Sequence, residues 1–189
     1  LSKVSLSSGI SLELNKIPRL RFMSLIHLEE IVPSMRRSVY PMTNIVVLVK
    51  QVPDTNAKIV VSGDRVDLSA VKKVMSPYDE FAVETALKHR EAAGGEVTAL
   101  TLGGAGADKV LKDAKAIGVD HIVRIDSEGE HDSNALQSAL ANVLTQMGAE
   151  VVYCGKSAAD TGAGSTGPGI AERMGWASVS NITSITFDG

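Results

Sequence analysis

The residues best equipped for chemistry lie in one stretch, Gly155 to Gly167, "GKSAADTGAGSTG". It contains no hydrophobic side chain larger than alanine, so it does not read as buried packing. Glycine lets a backbone approach a ligand closely and adopt positive φ, and successive amide hydrogens in such a loop can surround an anion. The hydroxyls of Ser157, Thr161, Ser165 and Thr166 can add phosphate contacts, and Lys156 supplies a mobile positive charge. Asp160 can accept ribose hydroxyls, or hold the loop by accepting amide bonds. Thr166 is expected to cap the helix "PGIAERMG", whose amino end adds a partial positive field at the same place. Two readings follow: a site for a nucleotide phosphate or another anion, or a tight corner with Lys156 in solvent. A G-x-x-x-x-G-K-[ST] loop is absent, because Lys156 precedes the glycines. A dinucleotide fingerprint after the first strand is absent too, since "KQVPDT" stands there.

Other reactive side chains give weaker signals. Cys154 ends an apolar run with no basic partner nearby in sequence, which points to packing rather than a nucleophile. His89 falls on a helix stripe and His121 begins a strand. Asp79 and Glu80 are adjacent helix positions that cannot face each other, and Asp79 is expected to close a capping box. Four scattered histidines and one cysteine offer no zinc spacing. Tyr78, Phe81 and Trp176 are too separated for a base-stacking surface. No catalytic residue and no metal ligand is assigned.

The elements that must position the loop read as an alternation of strands and helices. Ile45 to Val49 is a continuous apolar run, the mark of a strand buried on both faces. Gly63-Asp64 separates "KIVVS" from "RVDLS" as a small hairpin. In "SPYDEFAVETALKHREAAGG", Ser76 is expected to cap, Pro77 opens the helix and Gly94-Gly95 stops it. Tyr78, Phe81, Ala82, Thr85, Ala86 and His89 form its expected inner stripe. "EVTALTL" is a second strand, followed by a helix with Ala107, Val110, Leu111, Ala114 and Ile117 inward. "HIVRI", a helix lined by Leu136, Leu140, Val143, Leu144 and Met147, and "EVVYCG" complete the series. The fold class is α/β, a mostly parallel open sheet with helices on both faces. Ligands of such sheets bind at the carboxyl ends of the strands, near the point where strand order reverses. The candidate loops are Gln51 to Ala57, Gly103 to Ala107 and Gly155 to Gly167.

The chain has 189 residues, enough for one domain with a real core, and 44% of them are hydrophobic, which excludes wholesale disorder. A net charge of -3 gives no global attraction to nucleic acid or acidic membranes, and no apolar run is long enough to span a bilayer. The lone cysteine fits a reducing compartment. Residues 1-41 differ in character: they are serine-rich and basic, with Lys3, Lys16, Arg19, Arg21, Arg36 and Arg37 against Glu13, Glu29 and Glu30. They are expected to be an atypical extension, in which "LRFMSLIHLEEIV" has the pattern of a short amphipathic helix. The nucleotide-binding α/β domain is expected to occupy 42-189, beginning at "MTNIVVLVK".

In order from Met42 to about Phe187, "VVLVKQVPDT", "KVMSPYDEFAVETALKHRE", "EVTALTLG", "LKDAKAIGVD" and "GKSAADTGAGSTGPGIAERMGW" resemble the beta subunit of electron transfer flavoprotein. The resemblance implies an adenine nucleotide alpha hydrolase-like fold and a heterodimer with an alpha subunit that holds most of the redox FAD. It implies electron transport from flavin-dependent dehydrogenases to a quinone oxidoreductase or other acceptor, in the cytoplasm of a bacterium or the mitochondrial matrix of a eukaryote. The family's beta subunit keeps a structural AMP, replaced in bifurcating relatives by a second FAD. Carried onto this chain, the adenine and ribose side comprises Leu48, Ser76, Pro77, Tyr78, Asp79 and Leu102. The phosphate side is Gly155, Lys156, Ser157, Ala158, Ala159, Asp160, Thr161, Gly162, Ala163, Gly164, Ser165 and Thr166, and Thr55 approaches the alpha-subunit flavin. The chain departs from the family in having a single acid, Asp160, where relatives often have two or three, and Gly164-Ser165 where they have amides. Relatives continue well past Gly189, which implies a carboxyl-terminally shortened chain. The alternative reading is an independent adenine-nucleotide-binding stress or signalling module.

Overall fold

A computed structural model describes residues 3–6, 11–13, 43–58 and 60–187, the first two stretches by backbone alone. In chain order the strands are β1 (Lys3–Leu6), β2 (Ser11–Glu13), β3 (Asn44–Leu48), β4 (Gln51–Pro53), β5 (Val60–Ser62), β6 (Arg65–Asp67), β7 (Lys73–Met75), β8 (Glu96–Gly103), β9 (His121–Asp126), β10 (Val151–Cys154) and β11 (Ile182–Thr186). The helices are α1 (Pro77–Ala93), α2 (Asp108–Ile117), α3 (Ser133–Gln146) and α4 (Thr166–Met174).

The central sheet has the order β10-β3-β8-β9, and every pairing in it is parallel. Strand β3 is central because its side chains are apolar on both faces. Ile45, Val47 and Val49 pack with Ala82, Val83 and Ala86 of α1 and with Val110, Leu111 and Ala114 of α2. Val46 and Leu48 point the other way, toward Leu140, Ala141 and Leu144 of α3 and Ile170 of α4. The sequence reading of a parallel sheet covered on both faces is met. Each alternate residue of the apolar run serves a different core, as the period of two in a strand requires.

Outside this sheet, β4 pairs antiparallel with β7, and β5 with β6 across Gly63-Asp64, as the hairpin signal predicts. Strand β1 pairs antiparallel with both β2 and β11. The segment considered for an amphipathic helix, 20–32, lies outside the described residues. Among the described residues, no helix is long and apolar enough to cross a membrane.

Two inner stripes differ from expectation. On α1, Tyr78 and Phe81 are exposed, and the buried residues are Asp79, Ala82, Val83 and Ala86. These fall at i, i+3, i+4 and i+7, so the helix is rolled to seat its small residues against the sheet and leaves the aromatics outside. On α2, Ile117 is exposed beyond the edge of the core, while Val110, Leu111 and Ala114 are buried as expected.

Candidate nucleotide site at the carboxyl edge of the sheet

The strand order reverses between β3 and β10: the chain runs from β3 outward through β8 and β9, then returns to β3's other side. The loops after these two strands therefore diverge, and the crevice between them is where open α/β sheets take ligands. What lies there can be built up from α1. Asp79, in its first turn, is buried, and its carboxylate bridges the two diverging strands. It accepts the Lys50 amide at 2.8 Å and the Gly155 amide at 3.1 Å. Burial pushes this carboxyl up to about 6, against the two amides and the Lys50 charge, which pull it down. The expected capping box is thus not formed, because Asp79 is used across the crevice rather than along the helix.

Ser76 precedes α1 without a side-chain capping bond. Its amide donates to the Lys50 carbonyl at 2.9 Å, which seats it beside the exit of β3. Its hydroxyl oxygen is fully buried and has no hydrogen-bond partner. An unpartnered buried hydroxyl costs free energy, so it is a group for which a bound molecule could supply the missing bond. Gly155 is needed for space: a Cβ there would lie 2.4 Å from Asp79 Oδ1 and 2.8 Å from the Tyr78 backbone carbon.

The glycine loop leaves this junction and doubles back. The Gly162 amide donates to the Ala158 carbonyl at 2.8 Å, and Gly162 and Gly164 take φ of 63° and 64°. Side chains disfavour that left-handed conformation, which explains the residue type at both positions. The Lys50 ammonium meets Asp160 Oδ1 at 2.8 Å, and the same oxygen accepts the Thr161 amide at 2.8 Å. Helix α4 starts at Thr166, with Ser165 at the cap position and no side-chain capping bond. Thr166 is therefore the first helical residue and not the cap. By helix geometry, the first-turn amides of Thr166 and Gly167 have no intrahelical partner, and Pro168 brings none. They leave a positive helix end at the loop's exit.

The exit is held from α3. Gln137, buried in an otherwise apolar stripe, donates to the Ser165 carbonyl at 3.0 Å and accepts from Arg173 Nη1 at 2.7 Å. The Gln51 side chain, at the start of β4, reaches the Gly106 carbonyl at 2.7 Å and so joins two of the candidate loops. The third loop is reached from Lys50, the residue just before the first, through its pair with Asp160.

The individual residues are distributed unevenly. Ser76, Asp79 and Gly155 converge at the crevice. Leu48 and Leu102 pack into the α3/α4 core. Pro77 and Tyr78 are exposed on α1's first turn. Lys156, Ala159, Thr161, Gly162, Ala163 and Gly164 are exposed along the loop, whereas Ser157, Ala158, Ser165 and Thr166 are half-buried. Thr55 stands on an exposed turn beyond β4. Lys50, Gln137 and Arg173 were missed by the sequence reading, and Gln51 was named only as the start of a candidate loop. Lys50 had one usable signal, its place at the exit of the first strand, and Gln137 another, a polar residue beside Leu136 and Leu140.

Cys154, His89 and His121 make structural contacts. Burial, with Asp79 nearby, pushes the Cys154 thiol up to about 11, so it is a neutral packing group at pH 7. His89 Nδ1 lies 3.0 Å from the Tyr153 hydroxyl and the ring stacks on Phe187, with centroids 4.6 Å apart; burial lowers its pKa. His121 pairs with Glu96 at 3.2 Å, far from the glycine loop at the sheet's amino edge. Among the described residues, no cluster of His, Cys, Asp or Glu could hold a metal ion.

Fold and crevice together define an open, doubly wound α/β protein whose strand reversal opens beside a glycine-rich helix entry. The family model for the electron transfer flavoprotein domain matches residues 65–189, and the chain belongs to that family. It is 32% identical over 149 residues to the electron transfer flavoprotein subunit beta of Bacillus subtilis (strain 168), covering 77% of this chain and 58% of that protein. The corresponding subunit of Mycobacterium leprae (strain TN) is 38% identical over 159 residues, 78% of this chain and 59% of the relative. The acryloyl-CoA reductase electron transfer subunit gamma of Anaerotignum propionicum is 34% identical over 136 residues, 69% and 51% of the two chains. The chain spans 58% of the length of the Bacillus subtilis relative and 59% of the Mycobacterium leprae one.

Proposed function

We propose that this chain is the nucleotide-holding part of an electron-carrier subunit, with AMP bound between Asp79 and the Gly155–Thr166 loop. The observation that carries the reading is the position of that loop. It leaves the strand reversal, turns on two left-handed glycines and delivers the amide-bearing start of α4 to the same edge. Its donors fit a phosphate: first-turn amides, hydroxyls and Lys156, with the unpartnered Ser76 hydroxyl close to Lys50 for a polar atom of the nucleotide. Family membership and relatives named as electron transfer subunits support the electron-transfer role. In the proposed heterodimer FAD, held mainly by an alpha subunit, supplies the redox chemistry. This chain supplies a bound nucleotide and one wall of the assembly. Flavin-dependent dehydrogenases are the proposed donors, and a quinone oxidoreductase or another acceptor receives the electrons.

The test is to denature the purified chain and identify the released small molecules by mass spectrometry. The proposal expects adenine nucleotide, chiefly AMP, at near-equal stoichiometry. FAD in its place would mark a bifurcating type of subunit. A well-folded preparation that releases no adenine nucleotide, and takes none up when AMP is added, would refute the site.

A further inference from the structure

We infer that Lys50 is the positioning residue for the phosphate side of the site, acting through Asp160 and not by touching the nucleotide. The inference rests on the nucleotide reading above. Lys50 is held at two ends. Its main-chain amide donates to Asp79 at 2.8 Å, and its ammonium donates to Asp160 at 2.8 Å. The Asp160 oxygen that takes the ammonium also accepts the Thr161 amide. A continuous path therefore runs from the first turn of α1, through the exit of β3, to the middle of the glycine loop. The loop's entry is tied by Gly155 to Asp79 and its exit by Ser165 to Gln137. Among the described residues, the Lys50 pair is what ties the stretch between them to the sheet.

A lysine beside a glycine loop has two possible jobs, phosphate ligand or loop anchor. Here the ammonium is committed to a carboxylate that itself organises a loop amide, while the exposed Lys156 is left as the loop's other cation. With side-chain exposures of 44% and 28%, the pair is too wet to add much to global stability. Its consequence is local: it fixes where Thr161 and the left-handed turn stand relative to α4.

The two jobs give effects of different sign when Asp160 is neutralised. AMP and adenosine affinities are to be measured by calorimetry for the parent chain, Lys50→Gln, Asp160→Asn, the double variant and Lys50→Arg. Circular dichroism confirms that each is folded at the working temperature. The anchor role predicts that each single neutralisation weakens AMP binding about ten-fold. The double variant is then no weaker than either single, adenosine affinity stays within about two-fold, and Lys50→Arg, which keeps the pair, stays near the parent. Weakening in Lys50→Gln with unchanged or tighter binding in Asp160→Asn would make Lys50 a phosphate ligand and overturn the inference, as would additive losses. A parent that binds AMP alongside variants that match it overturns the anchor and leaves the nucleotide reading standing. A folded parent that binds no AMP removes both.

Discussion

Asp79 shows how much one side chain can decide. A carboxylate in the first turn of a helix ordinarily serves the helix's own amides. Here it spends both oxygens on amides from two other segments, at Lys50 and Gly155. Burial without a full counter-charge raises its pKa to about 6, above the ordinary carboxylate value. The sign of the pH effect follows: between about pH 4 and 6 the folded chain holds a proton that the unfolded chain has released. Asp79 therefore contributes stability that is fully present below the unfolded pKa and is lost as pH rises through the folded one, a swing of about 3 kcal/mol. A carbon-13 titration of its carboxyl should show a midpoint near 6. Urea unfolding from pH 4 to 7 should show the parent losing stability relative to Asp79→Asn. A midpoint near 4 with a flat difference would mean that the carboxyl is well solvated. That role was invisible in sequence because the second partner, Gly155, is 76 positions away. The pairing of Lys50 with Asp160, 110 positions apart, escaped for the same reason.

At the level of elements, the sequence was most informative where burial is uniform and least informative where an amphipathic stripe is ambiguous. Ile45 to Val49 is apolar throughout, and no choice of face can make it anything but a central strand. Helix α1 offers two overlapping stripes, one through Tyr78, Phe81 and Ala82, the other through Ala82, Val83 and Ala86. The expected inner stripe was the first, continued through Thr85, Ala86 and His89. Close approach of α1 to β3 and β10 selects the second, since a Phe at the contact would hold the helix away from the sheet. The choice has a measurable consequence. Val83→Ala should cost about 1–3 kcal/mol in urea unfolding, because Val83 is fully buried, whereas Phe81→Ala, at a position 66% exposed, should stay within about 0.5 kcal/mol. The reverse ranking would show that the aromatic stripe is the inner one. Turn chemistry was similarly legible at Gly63-Asp64 but not at the start of α4, where Thr166 was expected to cap and Ser165 takes the cap position without a side-chain capping bond.

For the whole molecule, the decisive feature is the placement of β10 beside β3, which no local pattern encodes. Alternating strands and helices announce a parallel sheet, and the three loops that gather at its carboxyl edge could be named from the sequence. The order of strands, and with it the position of the crevice, emerges only when the fourth strand must choose an edge. Strand β3 provides an apolar one: Val151 to Cys154 run alongside Ile45 to Leu48, and the glycine loop is thereby delivered to Asp79 and Lys50. Whether this loop's backbone geometry forms a phosphate cradle is decided at Gly164. Its φ of 64° disfavours any side chain, and a Cβ there would meet the Lys156 carbonyl at 3.4 Å. The measurement is the AMP affinity of Gly164→Val against the parent, with circular dichroism and urea unfolding on both. A phosphate cradle requires at least a ten-fold loss of affinity with the secondary structure retained. Equal affinity in a folded variant would contradict it and reduce the loop to a structural corner.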